Sequence, residues 1–155
     1  MDGSFVNWAD AHVHVMTHSL HYGLAAFEGI RCYKGKSGSA IFRLQEHVDR
    51  LFDSAHIGMM QMPFDKKQVA EAIVETVKVN KLEACYIRPL VYIGHGAMGV
   101  YPGDNPIKLA IAAWTCQSST MTAWPRAGPS SKARSSDGGS VAVHESGRRL
   151  RGDHV

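Results

Sequence analysis

Leu44, Val48, Leu51, Phe52 and Ala55 recur at i, i+4, i+7, i+8 and i+11. That is one face of a 3.6-residue period, and it predicts an amphipathic helix beginning near Leu44. A second helix is predicted behind Asp65, a capping residue with Gln68 three positions on, ahead of Val69, Ile73 and Val77. Leu44, Val48, Leu51, Phe52, Val69, Ile73 and Val77 are expected to face inward. Runs rich in apolar and β-branched residues at 29–33, 39–43, 85–93 and 107–114 read as strands. The first two are joined by Lys34-Gly35-Lys36-Ser37-Gly38, whose glycines suit a hairpin loop. The economical architecture is α+β, a sheet packed with two helices.

The pattern breaks near residue 117. In 117–155, Ser, Gly, Pro and Arg fill 20 of 39 positions and only 10 are apolar. Such a stretch buries too little apolar surface to offset its ordering entropy, so it is expected to be a disordered or loosely docked tail. The expected division is a folded unit at 1–116 and a low-complexity tail at 117–155. Charge divides at the same place, because 1–116 holds 11 Lys+Arg against 11 Asp+Glu, and 117–155 holds 6 against 3. A neutral body gives no electrostatic reason to expect a nucleic-acid partner. Cys32, Cys85 and Cys116 form neither a metal-ligand spacing nor an even disulfide set, which favours a reducing, cytoplasmic setting. No run approaches the roughly 20 apolar residues of a membrane span, and no signal-peptide build opens the chain.

Several residues carry candidate chemistry. Arg43, His47 and Arg50 fall at i, i+4 and i+7 of the first helix, off its apolar stripe. Two guanidinium groups and an imidazole on one face make either a solvated surface or an anion site, since guanidinium suits bidentate capture of phosphate or carboxylate. Tyr86 and Arg88 alternate with Cys85, Ile87 and Leu90 on a strand, and an arginine among apolar neighbours implies a waiting anion or an internal salt bridge. Gly94-His95-Gly96-Ala97-Met98-Gly99 fits G-x-G-x-x-G, but Val100-Tyr101-Pro102-Gly103-Asp104-Asn105-Pro106 forbids the helix that a dinucleotide turn must open. Arg151-Gly152-Asp153 is a three-residue coincidence. His12 and His14 would face the same way on a strand and His18 and His21 could meet on a turn, yet no carboxylate or thiolate completes the set, so no metal site is expected.

Trp8-Ala9-Asp10-Ala11-His12-Val13-His14-Val15, His18-Ser19-Leu20-His21-Tyr22-Gly23, Phe27-Glu28-Gly29-Ile30-Arg31-Cys32-Tyr33, Phe42-Arg43, the run from Glu46 to Ala55, and Tyr86-Ile87-Arg88-Pro89-Leu90 occur in that order. Together they resemble the N-terminal small domain of the branched-chain amino acid aminotransferases, pyridoxal 5'-phosphate enzymes of fold type IV. The resemblance covers roughly residues 1 to 114. It implies that Arg50 binds the cofactor phosphate and that Tyr86 and Arg88 line the substrate site, the tyrosine near the α-carboxylate and the arginine for the distal carboxylate of glutamate. Tyr22, Phe27 and Gly29 match pocket-wall positions, and Arg31 stands with them among the implied substrate-site residues. The implied substrates are the branched-chain amino acids and 2-oxoglutarate, and the implied assembly of the intact enzyme is a homodimer or higher homo-oligomer.

The family's catalytic lysine and the carboxylate for the pyridine nitrogen belong to a large domain beyond everything matched here. Lys132, the one lysine of the tail, does not resemble that lysine's motif, so no catalytic residue is assigned and the 155-residue polypeptide is expected not to transaminate. Its opening Met1-Asp2-Gly3 corresponds to the interior of the family's first hairpin. The tail also has a reading as translation in a shifted frame. Taken as codons two bases downstream, Met121-Thr122 forces Asp and Trp124-Pro125 forces Ala, and the product can run Asp-Gly-Leu-Ala-Glu-Gly-Arg-Thr, which resembles the family's continuation. The rival reading keeps the fold without catalysis, as a binding or dimer-interface module.

Overall fold

The computed structural model describes residues 1–115 and the backbone of 140–141. Past a 3-10 turn at Trp8–Asp10 come a short helix α1 (His18–Tyr22), strands β1 (Ala25–Phe27), β2 (Ile30–Gly35) and β3 (Gly38–Ile41), helices α2 (Leu44–Ile57) and α3 (Lys66–Val79), then β4 (Cys85–Ile93), β5 (Ile107–Trp114) and β6 (Ser140–Val141). The sheet is antiparallel in the order β3-β2-β4-β5-β6, with β1 also on β4.

β1 and β2 are one strand interrupted. Ala25 pairs with Tyr92 and Ile30 with Ile87, which is a single register on β4 and sets Glu28 opposite Pro89. Glu28 N–H donates to the Pro89 carbonyl at 3.1 Å. Proline has no N–H to return the bond, so the ladder lapses at Glu28-Gly29. Side-chain alternation continues through the lapse. Ala26, Ile30 and Cys32 are buried with Ile87, Val91, Ile93, Leu109 and Ile111 under the two helices, where they meet Val48, Leu51, Val69, Ile73 and Val77. Of the seven residues expected inward, these five are fully buried, and Leu44 and Phe52 pack half-buried at the core's edge. Cys32 and Cys85 face each other across β2 and β4 within this core as free thiols, and burial pushes the Cys85 thiol up to about 12.

Asp65 caps α3 as expected, accepting from Gln68 N–H at 2.8 Å while the Gln68 side chain accepts from Asp65 N–H at 2.9 Å. The strand expected over 39–43 ends at Ile41. Phe42 still donates to the Arg31 carbonyl, but Arg43 takes a left-handed conformation, φ 47°, that turns the chain into α2. The hairpin between β2 and β3 closes on Lys36-Ser37 alone, with Gly35 paired to Gly38. α1, β1 and β6 are absent from the sequence expectation because they span five, three and two residues, too few for a period to register. No strand forms at His12 and His14. Apart from β6, the region 117–155, with the disorder expected there, Lys132 and Arg151-Gly152-Asp153, lies outside the described residues. Among the described residues no helix is long and apolar enough to cross a membrane.

Candidate active site

The helices cover one face of the sheet, and the candidate site occupies the other. By alternation Phe27, Gly29 and Arg31 share that face with Tyr86, Arg88 and Trp114. Arg31 stands opposite Tyr86, and Tyr86 in turn opposite Trp114. The Tyr86 ring leans on Trp114 with centroids 4.9 Å apart, and its hydroxyl lies over Gly29. A Cβ added at Gly29 would sit 2.1 Å from that oxygen, so only glycine leaves the phenol its place. Tyr86 is thus held between an indole and a bare backbone, and its hydroxyl accepts from Arg88 Nη2 at 3.0 Å.

Arg88 lies over the Phe27 ring at 4.3 Å and the Tyr86 ring at 5.3 Å. Among the described residues no carboxylate pairs with it, and its Nε is buried without a hydrogen-bond partner. Buried polar atoms are nearly always satisfied. Of the two sequence alternatives, a waiting anion and an internal salt bridge, the second does not form among the described residues.

The second cationic group lies where β1 gives way to β2. The Glu28 side chain turns to the helix side, opposite in sense to Phe27, and is only 6% exposed. Arg50 grips it with a fork: Nε donates to Oε1 and Nη2 to Oε2, both at 2.6 Å. His47 Nδ1 donates to Oε2 at 2.8 Å. The hydrogen bond from Arg50, ahead of the opposing effect of burial, holds the Glu28 carboxyl below its ordinary value. Arg50 is itself largely exposed, so the part of its guanidinium that Glu28 does not engage can meet an oxyanion. The expected convergence of three cations is corrected here. His47 and Arg50 meet on Glu28, while Arg43, in its left-handed turn, bonds Glu46 at 2.9 Å on the surface.

Tyr22 stands apart from these clusters, on α1, its ring 4.4 Å from that of His18. Among the described residues no group of three or more metal-ligating side chains forms, and the histidines there make other contacts. His14 stacks on His95 at 4.5 Å, His18 Nε2 donates to the Gly99 carbonyl at 2.8 Å, and His21 Nε2 donates to the Val15 carbonyl at 2.9 Å. Gly94–Gly99 opens no helix. Asn105 instead ties it down by bonding the Ala97 N–H and carbonyl at 2.7 and 2.8 Å. Sequence reasoning missed Glu28 and Trp114. Glu28 was signalled as an acid inside an apolar run; Trp114 needed the strand register.

The sequence model of the amino-transferase class IV family matches residues 25–152. The chain belongs to this family. A branched-chain-amino-acid aminotransferase of Pseudomonas aeruginosa is 50% identical over 114 residues, 74% of this chain and 37% of that relative. One from Escherichia coli (strain K12) is 46% identical over 101 residues, 65% of this chain and 33% of that relative. The structure of a T.th. branched-chain amino acid aminotransferase complexed with 4-methylvaleric acid matches with a TM-score of 0.70 at 42% identity, covering 74% of this chain and 41% of that one. The same enzyme complexed with N-(5'-phosphopyridoxyl)-L-glutamate matches with a TM-score of 0.70 at 41% identity, over 75% and 41%. The α+β fold is that of the small N-terminal domain of fold type IV aminotransferases, and the chain spans 33% to 41% of the length of these relatives.

Proposed function

We propose that this chain supplies the small domain of a branched-chain amino acid aminotransferase, which moves an amino group between leucine, isoleucine or valine and 2-oxoglutarate with pyridoxal 5'-phosphate. The observation that carries the reading is Arg88, a cation held against aromatic rings with an unsatisfied Nε and, among the described residues, no carboxylate beside it. A pocket serving both donors must accept an aliphatic side chain in one half-reaction and a carboxylate in the other. An arginine flattened between Phe27 and Tyr86 offers aromatic edges to the first and free N–H groups to the second.

The cofactor's phosphate fits the outward edge of Arg50, which would hold it by charge-assisted bonds. When bound, the cofactor supplies the electron sink for loss of the α-proton. The chain's own residues bind and orient. Tyr86 meets the substrate α-carboxylate, Arg88 takes the distal carboxylate of glutamate, and Tyr22, Phe27, Gly29 and Arg31 complete the wall. Residues 1–116 are the small domain, and 117–155 come from a shifted reading frame, which resequencing the source DNA across codons 114–135 would decide. The intact enzyme is a cytoplasmic homodimer or higher homo-oligomer.

A chimera tests the reading. Residues 1–114 of this chain replace their counterparts in the Pseudomonas aeruginosa relative, and glutamate formation from leucine and 2-oxoglutarate is followed. Turnover is expected, and Arg88→Met should lower kcat/KM for 2-oxoglutarate roughly 10- to 100-fold, the loss of a charge-assisted bond, while leucine is affected less. A folded, cofactor-loaded chimera without turnover, or equal losses for both substrates, overturns it.

A further inference from the structure

We propose that Glu28 is a positioning residue that sets the direction of the Arg50 guanidinium and ties it to the strand carrying Arg88. This rests on the reading of Arg50 as the phosphate ligand. Three observations meet at this one residue. Its carboxylate takes the Nε and Nη2 edge of Arg50 and the Nδ1–H of His47. Its backbone N–H is bonded to Pro89, the neighbour of Arg88. Phe27, the residue before it, stacks on Arg88 from the other face. One side chain therefore faces α2 while its own backbone is fixed to β4, and the two cationic groups are linked through a single residue.

The carboxylate has two opposite effects on an anion at Arg50. It neutralises part of the guanidinium charge, which weakens attraction. It also consumes the inner edge of the fork and holds a long, exposed side chain in one direction, which spares an incoming phosphate the cost of ordering it. Added salt separates the two, because it screens attraction between exposed charges but leaves the entropy of orientation unchanged. With salt in excess, positioning should prevail.

The test titrates inorganic phosphate into the 155-residue chain in 0.5 M KCl and follows the side-chain resonances of Arg50 by NMR. Before phosphate is added, the wild type should show a resolved Arg50 Nε–H signal protected by Glu28. Glu28→Gln removes the charge and keeps the shape; Glu28→Asp keeps the charge but is too short to hold both partners. Both should weaken phosphate binding about 3- to 10-fold, the cost of immobilising one long side chain. A general structural defect would spare neither variant's melting temperature, whereas loss of positioning appears in phosphate affinity and in the Arg50 signal of a folded chain. Equal or tighter binding by the Glu28 variants, or an unprotected Nε–H in the wild type, overturns the inference. A separate control guards the underlying reading: the Glu28→Gln/Arg50→Ala double variant, which leaves no buried charge unpaired, should lose phosphate binding altogether. Binding that survives in it, or no binding by the wild type, removes the reading of Arg50 and this inference with it.

Discussion

Glu28 and Arg50 form one ion pair with unequal consequences for stability. Glu28 is buried and Arg50 is exposed, so Arg50→Ala strands a carboxylate away from water, with His47 left beside it. Glu28→Gln leaves a guanidinium that water can solvate. Arg50→Ala is therefore expected to lower the urea midpoint more than Glu28→Gln, the reverse of what their exposures alone would rank. Glu28 also sets an acid limit. Its folded pKa lies below the ordinary 4.5, so its contribution is complete above that value and is lost as pH falls through the folded pKa. The stability gap between wild type and Glu28→Gln should close over that acid range, as denaturation series at stepped pH would record. At this scale the sequence was half legible. An i+3 pair on a helix can be counted, so His47 and Arg50 were seen; their acceptor is 19 and 22 positions away and appears only when the sheet is folded.

Both long helices announce themselves because their buried faces repeat over 14 residues, and α3 adds its reciprocal cap. Asp65→Ala removes the acceptor for Gln68 N–H and should cost about 0.5–2 kcal/mol in chemical denaturation, whereas Asp65→Asn or Asp65→Ser should recover most of it. Strand identity was equally readable, but strand ends were not. β3 stops early because Arg43 must turn left-handed for α2 to start, and a left-handed arginine has no sequence signature. The lapse between β1 and β2 was written in the chain as Pro89, but on the opposing strand. Its position became meaningful only with the register that sets Pro89 against Glu28.

At the scale of the whole molecule, the apolar core of the described residues lies between the sheet and its two helices, while the candidate site takes the sheet's opposite face. Composition could predict the core and could not place the site, since which face of a strand is covered depends on where the helices pack. The arrangement divides β4 by parity. Cys85, Ile87, Pro89, Val91 and Ile93 are buried on the helix side, and Tyr86, Arg88 and Leu90 between them look the other way. An alanine scan along this strand should oscillate with a period of two. Ile87→Ala and Ile93→Ala are expected to cost about 2–5 kcal/mol in unfolding and to leave the chimera's kinetics intact wherever it remains folded. Tyr86→Ala and Arg88→Ala should cost less than those core truncations and lower kcat/KM. Two traces, one of melting temperature and one of turnover, would then run out of phase along Cys85–Val91, where burial alternates, so substitutions tolerated by the fold and those tolerated by the chemistry alternate residue by residue there.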